Sequence, residues 1–143
     1  MSAVERILAV VREWMAKAEN DLKNAAHTLK LGEAGPMDTV CFHAQQCAEK
    51  YLKAFLVLKE VDFPRNHDIG ALVALLPKEI DVGLSATEQR RLTTYATLTR
   101  YPGDYEPISM KEARQAVKIA RRVRRAIQLH LPKEALRKER HPY

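Results

Sequence analysis

The chain has 143 residues, of which 46% are hydrophobic and 29% charged, and its formal net charge is +6. This length suits a single domain, and the composition is that of a globular protein rather than of a disordered or fibrous one. No apolar run approaches the roughly 20 residues that a membrane-spanning helix needs. We therefore expect one globular domain located in the cytoplasm.

The positive charge is concentrated at the carboxyl end. Residues 109–143 contain eleven Lys and Arg against three Glu, a net charge of +8, so the other 108 residues carry −2. All of the basic excess therefore belongs to the last predicted helix and its tail. The two cysteines, Cys41 and Cys47, lie on one predicted helix, about 9 Å apart along its axis and on different sides. They therefore cannot form a disulfide with each other, and free thiols suit a reducing compartment.

The first two helices are long and joined by a short turn. Apolar positions from Ile7 to Leu29 recur at alternating steps of three and four, which predicts an amphipathic helix ending near Gly32. Pro36 or the next residues open a second helix that runs to about Glu60. Such a pair forms an antiparallel hairpin.

The rest of the chain predicts two shorter helices and one more long one. A short helix begins near His67 and Asp68, and another begins after Ser85 and continues to about Thr99. The last long helix opens after Ser109 and ends before Pro132; both serines have a Glu three residues later, as in a capping box. We expect an all-α, up-and-down bundle over residues 1–131, with three long and two shorter helices, followed by a charged, mobile tail over residues 132–143.

The second helix has two different sides. At 100° per residue, one broad arc is apolar and contains Cys41, Ala44, Ala48, Tyr51, Leu52, Phe55 and Leu58. The opposite side carries His43, Gln46, Lys50 and Lys53. The apolar arc accounts for folding. The polar side is either solvated, with Glu49 and Lys53 paired at i,i+4, or a site that holds a phosphate or a nucleotide by charge-assisted hydrogen bonds.

Three spaced motifs resemble the HEPN family of small helical proteins. They are His43-x-Gln45-Gln46-x-x-Glu49-Lys50-x-Leu52-Lys53-Ala54, then His67-Asp68 at a helix start, then Arg100-Tyr101-Pro102 at a turn. The resemblance covers roughly residues 8 to 130 and implies the HEPN fold. It also implies a set of roles, because the family includes ribonucleases and partners of minimal nucleotidyltransferases, in pairs that look like toxin–antitoxin modules.

The turn before the last helix is a second candidate for ligand binding. Arg100, Tyr101 and Tyr105 would present a guanidinium and two phenols, which suit a phosphodiester and a stacked base. The resemblance supports a special role for Arg100. The structural alternative is that Arg100 pairs with a carboxylate such as Glu49 or Asp104 and fixes the turn.

The sequence gives little support for catalysis. HEPN ribonucleases resemble one another in an R-x(4–6)-H motif at the start of the last helix, and no histidine follows Arg100 at that distance. Arg124 and Arg125 precede His130 at the right spacing, but at the other end of the helix. A general base would then have to be His43 or His67. The His67-Asp68 pair also has a structural explanation, because the charge of Asp68 is favourable near the positive end of the helix dipole and His67 or Asn66 can cap the helix. We expect binding rather than catalysis.

No metal or cofactor is expected. His43 and Cys47 are too few ligands for a metal, and the chain has no G-x-G-x-x-G or Walker loop. By contrast, one side of the last helix is strongly basic: it carries Arg114, Lys118, Arg121, Arg122 and Arg125. Such a surface suits a phosphate backbone or an acidic protein, and the alternative is an ordinary solvated face.

The sequence favours a nucleotide- or RNA-associated binding subunit. The HEPN resemblance adds a homodimer and a minimal nucleotidyltransferase as partner. Two other functions stay open. One is a metal-independent endoribonuclease in which Arg100 stabilises phosphate charge and His43 or His67 transfers protons. The other is a purely structural partner protein.

Overall fold

The computed structural model describes residues 1–97 and 107–137. Within these residues the chain forms six α-helices and no strand, so the predicted all-α architecture is confirmed. The helices are α1 (Ala3–Leu29), α2 (Met37–Leu58), α3 (Ile69–Ala74), α4 (Ala86–Tyr95), α5 (Met110–Gln128) and α6 (Lys133–Leu136). In the part of the chain that is described, no helix is long and apolar enough to cross a bilayer.

Serine caps fix the starts of three helices. The hydroxyls of Ser2, Ser85 and Ser109 each accept a hydrogen bond from the backbone N–H three residues later, at 3.1 Å. At Ser2 and Ser85 the glutamate at that third position also accepts from the serine N–H, which completes a capping box. The predicted starts of α4 and α5 are therefore correct.

The helical hairpin of α1 and α2 forms the main body of the bundle. A short 3-10 turn at Gly32–Ala34 joins the two helices, and Pro36 occupies the position before α2, as the sequence predicts. Gly32 has φ of +68°, a value that suits glycine, because side chains on other residues rarely tolerate it. Helix α5 packs on α2 and also contacts α1.

Helix α2 is the central element, and almost every side of it is covered. Its apolar arc is buried from Cys41 to Phe55, including Tyr51 and Leu52, and Leu58 at its end is partly buried. The polar side is not an ordinary solvated face: Lys53 is buried, as are Gln45 and Glu49 beside it, whereas His43, Gln46 and Lys50 are partly exposed. Of the two alternatives for this side, the first is correct in the pairing of Glu49 with Lys53, but that pair is buried rather than solvated.

Helices α4 and α5 both pack against α2 and are tied together by a charged pair. Nη1 of Arg122 lies 3.1 Å from both carboxylate oxygens of Glu88 and donates to the backbone oxygen of Gly83 at 2.8 Å. Gly83 has φ of +69°, and a Cβ there would lie 2.9 Å from Cδ of Arg122. Only glycine suits both the backbone conformation and this close approach.

The chain continues in a helix beyond Pro132, where the sequence predicts a tail. Helix α6 packs against α1: Ala135 is 1% exposed, and Nη2 of Arg12 donates to the backbone oxygen of Glu134 at 2.8 Å. Helix α6 was not expected, because four residues are too short for a periodic pattern. The last residues, 138–143, lie outside the described part of the chain.

Candidate functional site

The polar side of α2 begins with a histidine and a lysine that share one carboxylate. Asp21 of α1 is buried, and its Oδ1 lies 2.8 Å from Nδ1 of His43. Its other oxygen, Oδ2, accepts from Nζ of Lys50 at 2.5 Å. Asp21 therefore fixes two of the predicted ligand-binding residues against α1.

A second carboxylate, Glu49, organises the other end of the polar side. Glu49 is 2% exposed and accepts hydrogen bonds from the amide of Gln45 at 2.7 Å, from Nζ of Lys53 at 3.0 Å and from Nδ1 of His67 at 2.8 Å. Gln46 donates in turn to the side-chain oxygen of Gln45 at 2.7 Å. The predicted pairing of Glu49 with Lys53 is confirmed, and the cluster is fully hydrogen-bonded.

Lys53 is enclosed by aromatic rings as well as by Glu49. Its Nζ lies 5.4 Å from the ring centre of Trp14 and 5.5 Å from that of Phe63, and the two rings meet edge to face. Such cation–π contacts stabilise a cation that has lost its water. Lys53 therefore has a structural role, and its ammonium group is not available to a ligand.

The histidine near α3 is part of this cluster and does not cap the helix. Asp68 is the cap, because its Oδ1 accepts from the N–H of Ala71 at 3.1 Å, while Asn66 accepts from the N–H of Asp68. The prediction that His67 or Asn66 caps α3 was wrong. His67 instead reaches Glu49, and its side chain stays 48% exposed.

The two imidazoles are held in a similar way. Each has Nδ1 against a carboxylate, at His43 against Asp21 and at His67 against Glu49, and an ionised carboxylate can only accept. Nδ1 of each ring therefore carries a proton and donates it to the carboxylate. Each imidazole and each lysine on this side is therefore paired with the carboxylate of Asp21 or Glu49.

A third charged group joins α1, α2 and α5. The hydroxyl of Tyr51 donates to Glu19, and Nε of Arg124 lies 2.5 Å from the same carboxylate. Burial raises the pKa of the Glu19 carboxyl, but the hydrogen bonds from Tyr51 and Arg124 outweigh that effect and hold the pKa below its usual value. Arg124 therefore has a structural role, because it joins α5 to α1 through Glu19.

The basic side of α5 differs in this respect. Arg114, Lys118, Arg121 and Arg125 are exposed and form no hydrogen bond or ion pair with any described residue. Arg122, the fifth predicted member, is half-buried and paired with Glu88. The four exposed cations are spaced at i, i+4, i+7 and i+11, and so lie along one side of the helix over about 16 Å. We call these four residues the basic face.

Other predicted residues fall outside this arrangement. Arg100, Tyr101 and Tyr105 of the predicted turn site lie outside the described residues. His130 follows α5, where its ring meets Phe55 edge to face with 6.5 Å between ring centres. The Arg124 to His130 spacing is thus a coincidence of sequence, because Arg124 is engaged by Glu19. Among the residues described, no group of three His, Cys, Asp or Glu could hold a metal.

Sequence reasoning did not identify Asp21 and Glu19 as members of the charged clusters. Asp21 carried one signal: it lies three residues after Ala18 and four before Ala25, both of which are buried. An acidic residue at a core position of an amphipathic helix requires a partner from a neighbouring helix. The partners themselves could not be predicted, because the relative rotation of α1 and α2 sets them.

Comparison with protein families assigns the chain to a known family. Residues 11–131 match the family model for the HEPN domain. The chain belongs to the HEPN family. Curated proteins include none that matches this chain.

Two solved structures resemble most of the chain. One is TT1696 from Thermus thermophilus, which is 28% identical, with a TM-score of 0.70 over 85% of this chain and 98% of that one. The other is ST0689, an archaeal HEPN homologue, which is 26% identical, with a TM-score of 0.64 over 91% of this chain and 98% of that one. These likenesses support the fold.

Proposed function

We propose that this HEPN protein is an RNA- or nucleotide-associated binding subunit, in which the basic face of α5 attracts a phosphate backbone. The observation that carries the proposal is the contrast within one helix. Arg122 and Arg124 each have a carboxylate partner, whereas the four residues of the basic face have none among the described residues. Four like charges on one side of a helix repel one another unless an anion neutralises them.

A polyanion is the simplest ligand for this surface. Lys and Arg that neutralise phosphates release condensed counterions, and this provides affinity without reading sequence. An acidic protein could also neutralise the face, but regular spacing along a straight line suits the repeating charge of a nucleic acid strand. The polar side of α2 has a structural role in this proposal, because its lysines are paired with the carboxylates of Asp21 and Glu49 and are not available to a ligand.

The proposed biological setting follows from family membership. HEPN proteins with these motifs resemble partners of minimal nucleotidyltransferases in toxin–antitoxin-like pairs, and we extend that role to this chain, together with a homodimer. The support is the resemblance itself. Co-expression with the product of the adjacent reading frame, followed by size-exclusion chromatography with light scattering, tests the homodimer and the nucleotidyltransferase partner. A chain that elutes as a monomer, with no second protein bound, contradicts this part of the proposal.

Salt-dependent RNA binding tests the proposal. Fluorescence anisotropy with a labelled single-stranded oligouridylate should give a Kd that rises steeply with NaCl, and replacement of all four basic-face residues by Gln should weaken binding at least tenfold. The matched control removes four exposed positive charges elsewhere, at Lys17, Lys30, Arg65 and Lys78, and should bind much more like the wild type. Equal loss in both variants would mean that net charge, not the face, is responsible. Absent or salt-insensitive binding would support the purely structural role.

A metal-independent ribonuclease is the second candidate, and the paired imidazoles favour it. A carboxylate on Nδ1 holds a histidine in one tautomer and stabilises its protonated form, which is how such a pair supports a general base. His67 is the better placed of the two, because its ring is half-exposed while Glu49 is buried. The base would take the proton of the ribose 2′-OH.

Cleavage assays in EDTA distinguish this candidate. A ribonuclease of this kind should cut the oligouridylate without metal, and His67→Ala should reduce the rate by about 100-fold or more, a typical effect of losing a general base. His43→Ala reports on the other pair. Cleavage that survives both substitutions removes the imidazoles from the mechanism, and no cleavage at all leaves binding as the function.

A further inference from the structure

The helical hairpin carries an apolar surface that RNA binding by α5 does not use. Val10 of α1 is 40% exposed and lies one turn before Trp14, which is partly exposed. The ring of Phe63 meets that of Trp14 edge to face, with 6.3 Å between ring centres, and Val57 lies one turn after Lys53 on α2. We call Val10, Trp14, Val57 and Phe63 the apolar patch.

The end of α2 brings Phe63 to this patch. Glu60 has φ of +56°, a left-handed conformation, and the N–H of Val61 donates to the backbone oxygen of Leu56 at 2.9 Å. This is the hydrogen bond of a Schellman motif, which ends a helix and turns the chain away from it. The chain then runs back along α2, and the ring of Phe63 covers the buried ammonium of Lys53.

The apolar patch faces away from α5. Helix α5 contacts α1 through Glu19, and Val10 lies nine residues earlier, about 180° around the helix. Helix α5 contacts α2 through Tyr51, and Lys53, which lies beneath the patch, is about 200° further around. The apolar patch and the basic face are therefore on opposite sides of the protomer, so RNA bound along α5 leaves the patch uncovered.

Exposed charges of both signs surround the patch. Two lie beside Trp14 on α1 and two beside Phe63 after α2, and we call them the charged rim: Glu13, Lys17, Asp62 and Arg65. None of the four has a hydrogen-bond or ion-pair partner among the residues that the structure describes. With two acids and two bases, the rim has no net charge, although the chain as a whole carries +6.

This balance of charge favours a second copy of the chain as the partner. A two-fold interface brings one surface against an identical one, so a patch with a net charge would repel its own copy. A neutral rim allows acids of one protomer to lie opposite bases of the other. A polyanion would instead require an excess of positive charge, as on the basic face. An exposed Trp with apolar neighbours is typical of the centre of a protein interface.

From these observations, we infer that the apolar patch is the interface of a two-fold symmetric homodimer. Trp14 and Phe63 lie near its centre, and the charged rim pairs across it. The two basic faces are then on the outer sides of the dimer, where each binds RNA without the other. The inference rests on the homodimer in the proposed function and adds to it the surface that forms the dimer.

Sedimentation equilibrium of the full chain tests the interface. The wild type should have twice the monomer mass of 16.3 kDa at micromolar concentration. Val10→Glu places an unpaired charge in the patch and should raise the Kd of the dimer by about 30-fold or more, the effect of losing a hot spot. The control Leu129→Glu changes a residue that is 82% exposed at the end of α5 and should leave this Kd unchanged. Circular dichroism checks that both variants stay folded.

Charge reversal tests whether the partner is a second copy. Two bases become acids in Lys17→Glu/Arg65→Glu, so the charge of the rim falls by four, and it rises by four in Glu13→Lys/Asp62→Lys. Each variant alone should dimerise about tenfold more weakly than the wild type, or worse, whereas an equimolar mixture should form a heterodimer. A variant that dimerises alone like the wild type, or a mixture that forms no heterodimer, overturns the inference.

The single tryptophan of the chain reports where the interface lies. Trp14 is partly exposed in the protomer and covered in the proposed dimer, so its emission should shift to longer wavelength as the wild type is diluted through the Kd of the dimer. Val10→Glu should emit at the longer wavelength throughout the same dilution. A dimer that dissociates without a change in emission has its interface elsewhere, which overturns the inference.

These outcomes separate the inference from the proposed function. A dimer that Val10→Glu leaves intact overturns the apolar patch as the interface, while the homodimer stands. A wild type that is monomeric at every concentration overturns both. Val10→Glu should bind a short oligouridylate with the wild-type Kd, because the basic face is on the opposite side. Absent RNA binding by a dimeric wild type would overturn the RNA part of the proposed function and leave the interface standing.

Discussion

Nδ1 of His67 lies 2.8 Å from Oε1 of Glu49, so a half-exposed imidazole is anchored on a carboxylate that is almost completely buried. The same carboxylate holds Lys53 and Gln45, which places three donors around one acid. The segment between α2 and α3 is thereby attached to the central helix. The H-x-Q-Q-x-x-E-K motif and the His-Asp motif therefore meet in one cluster, and a large part of their role is structural.

Neutralising Glu49 should destabilise the protein markedly. In Glu49→Gln the buried ammonium of Lys53 loses its carboxylate, and breaking a buried ion pair from one side costs about 3 kcal/mol or more. Urea denaturation at pH 7 measures the change in the free energy of unfolding. Glu79→Gln, on an exposed residue, is the control and should change it by less than about 0.5 kcal/mol. A loss at Glu49 no larger than at Glu79 contradicts the assignment of a structural hub.

Removing the hydroxyl of Tyr95 should stabilise the free protein. The group is buried without a hydrogen-bond partner among the described residues, so Tyr95→Phe removes an unsatisfied polar atom while keeping the ring. The gain should be about 1 kcal/mol in the free energy of unfolding. Thermal unfolding without ligand measures it. A fall in stability would show that the hydroxyl has a hydrogen-bond partner, such as the neighbouring Cys41 thiol.

Acid should weaken the contact among α1, α2 and α5. The pKa of Glu19 in the folded protein lies below its ordinary value of 4.5, so the carboxylate contributes stability that is present above that value and is lost as pH falls through the lower folded value. The melting temperature should therefore drop on acidification below about pH 4.5, less steeply in Glu19→Gln. The control is Glu33→Gln, on an exposed residue. Parallel acid limbs in wild type and Glu19→Gln would contradict this account.

Both cysteine thiols should be unreactive in the native protein. Burial raises the pKa of Cys41 and of Cys47 to about 12, and neither side chain is exposed. Because the thiolate is the reactive form, Ellman's reagent at pH 8 should label neither thiol in the folded state and both in urea. Rapid labelling of the native protein would show that α2 is less well covered than its contacts indicate.

Much of the fold follows from local patterns. The three-and-four spacing of apolar residues in α1 and the serines before α4 and α5 act within a few residues, so the sequence alone predicts these elements. The cap of α3 and the short helix α6 were missed. At α3, Asn66, His67 and Asp68 are all polar, and only the path of the chain decides that Asp68 caps.

The site was harder to predict, because its character depends on contacts between helices. His43, Lys50 and Lys53 look like a row of open cations on one helix, whereas Asp21 and Glu49 neutralise them in the folded protein. The basic residues of α5 look alike in sequence, yet Glu19 and Glu88 engage two of them. Which cations stay free for a ligand is a property of helix packing.

The most direct test of the central claim is the salt dependence of RNA binding by the variant that lacks all four charges of the basic face. We predict that replacing Arg114, Lys118, Arg121 and Arg125 by Gln reduces the magnitude of the slope of log Kobs against log[NaCl] by about 2.8, the contribution of four contacts on a single strand. A variant that binds the oligouridylate with the wild-type Kd and slope would contradict the account.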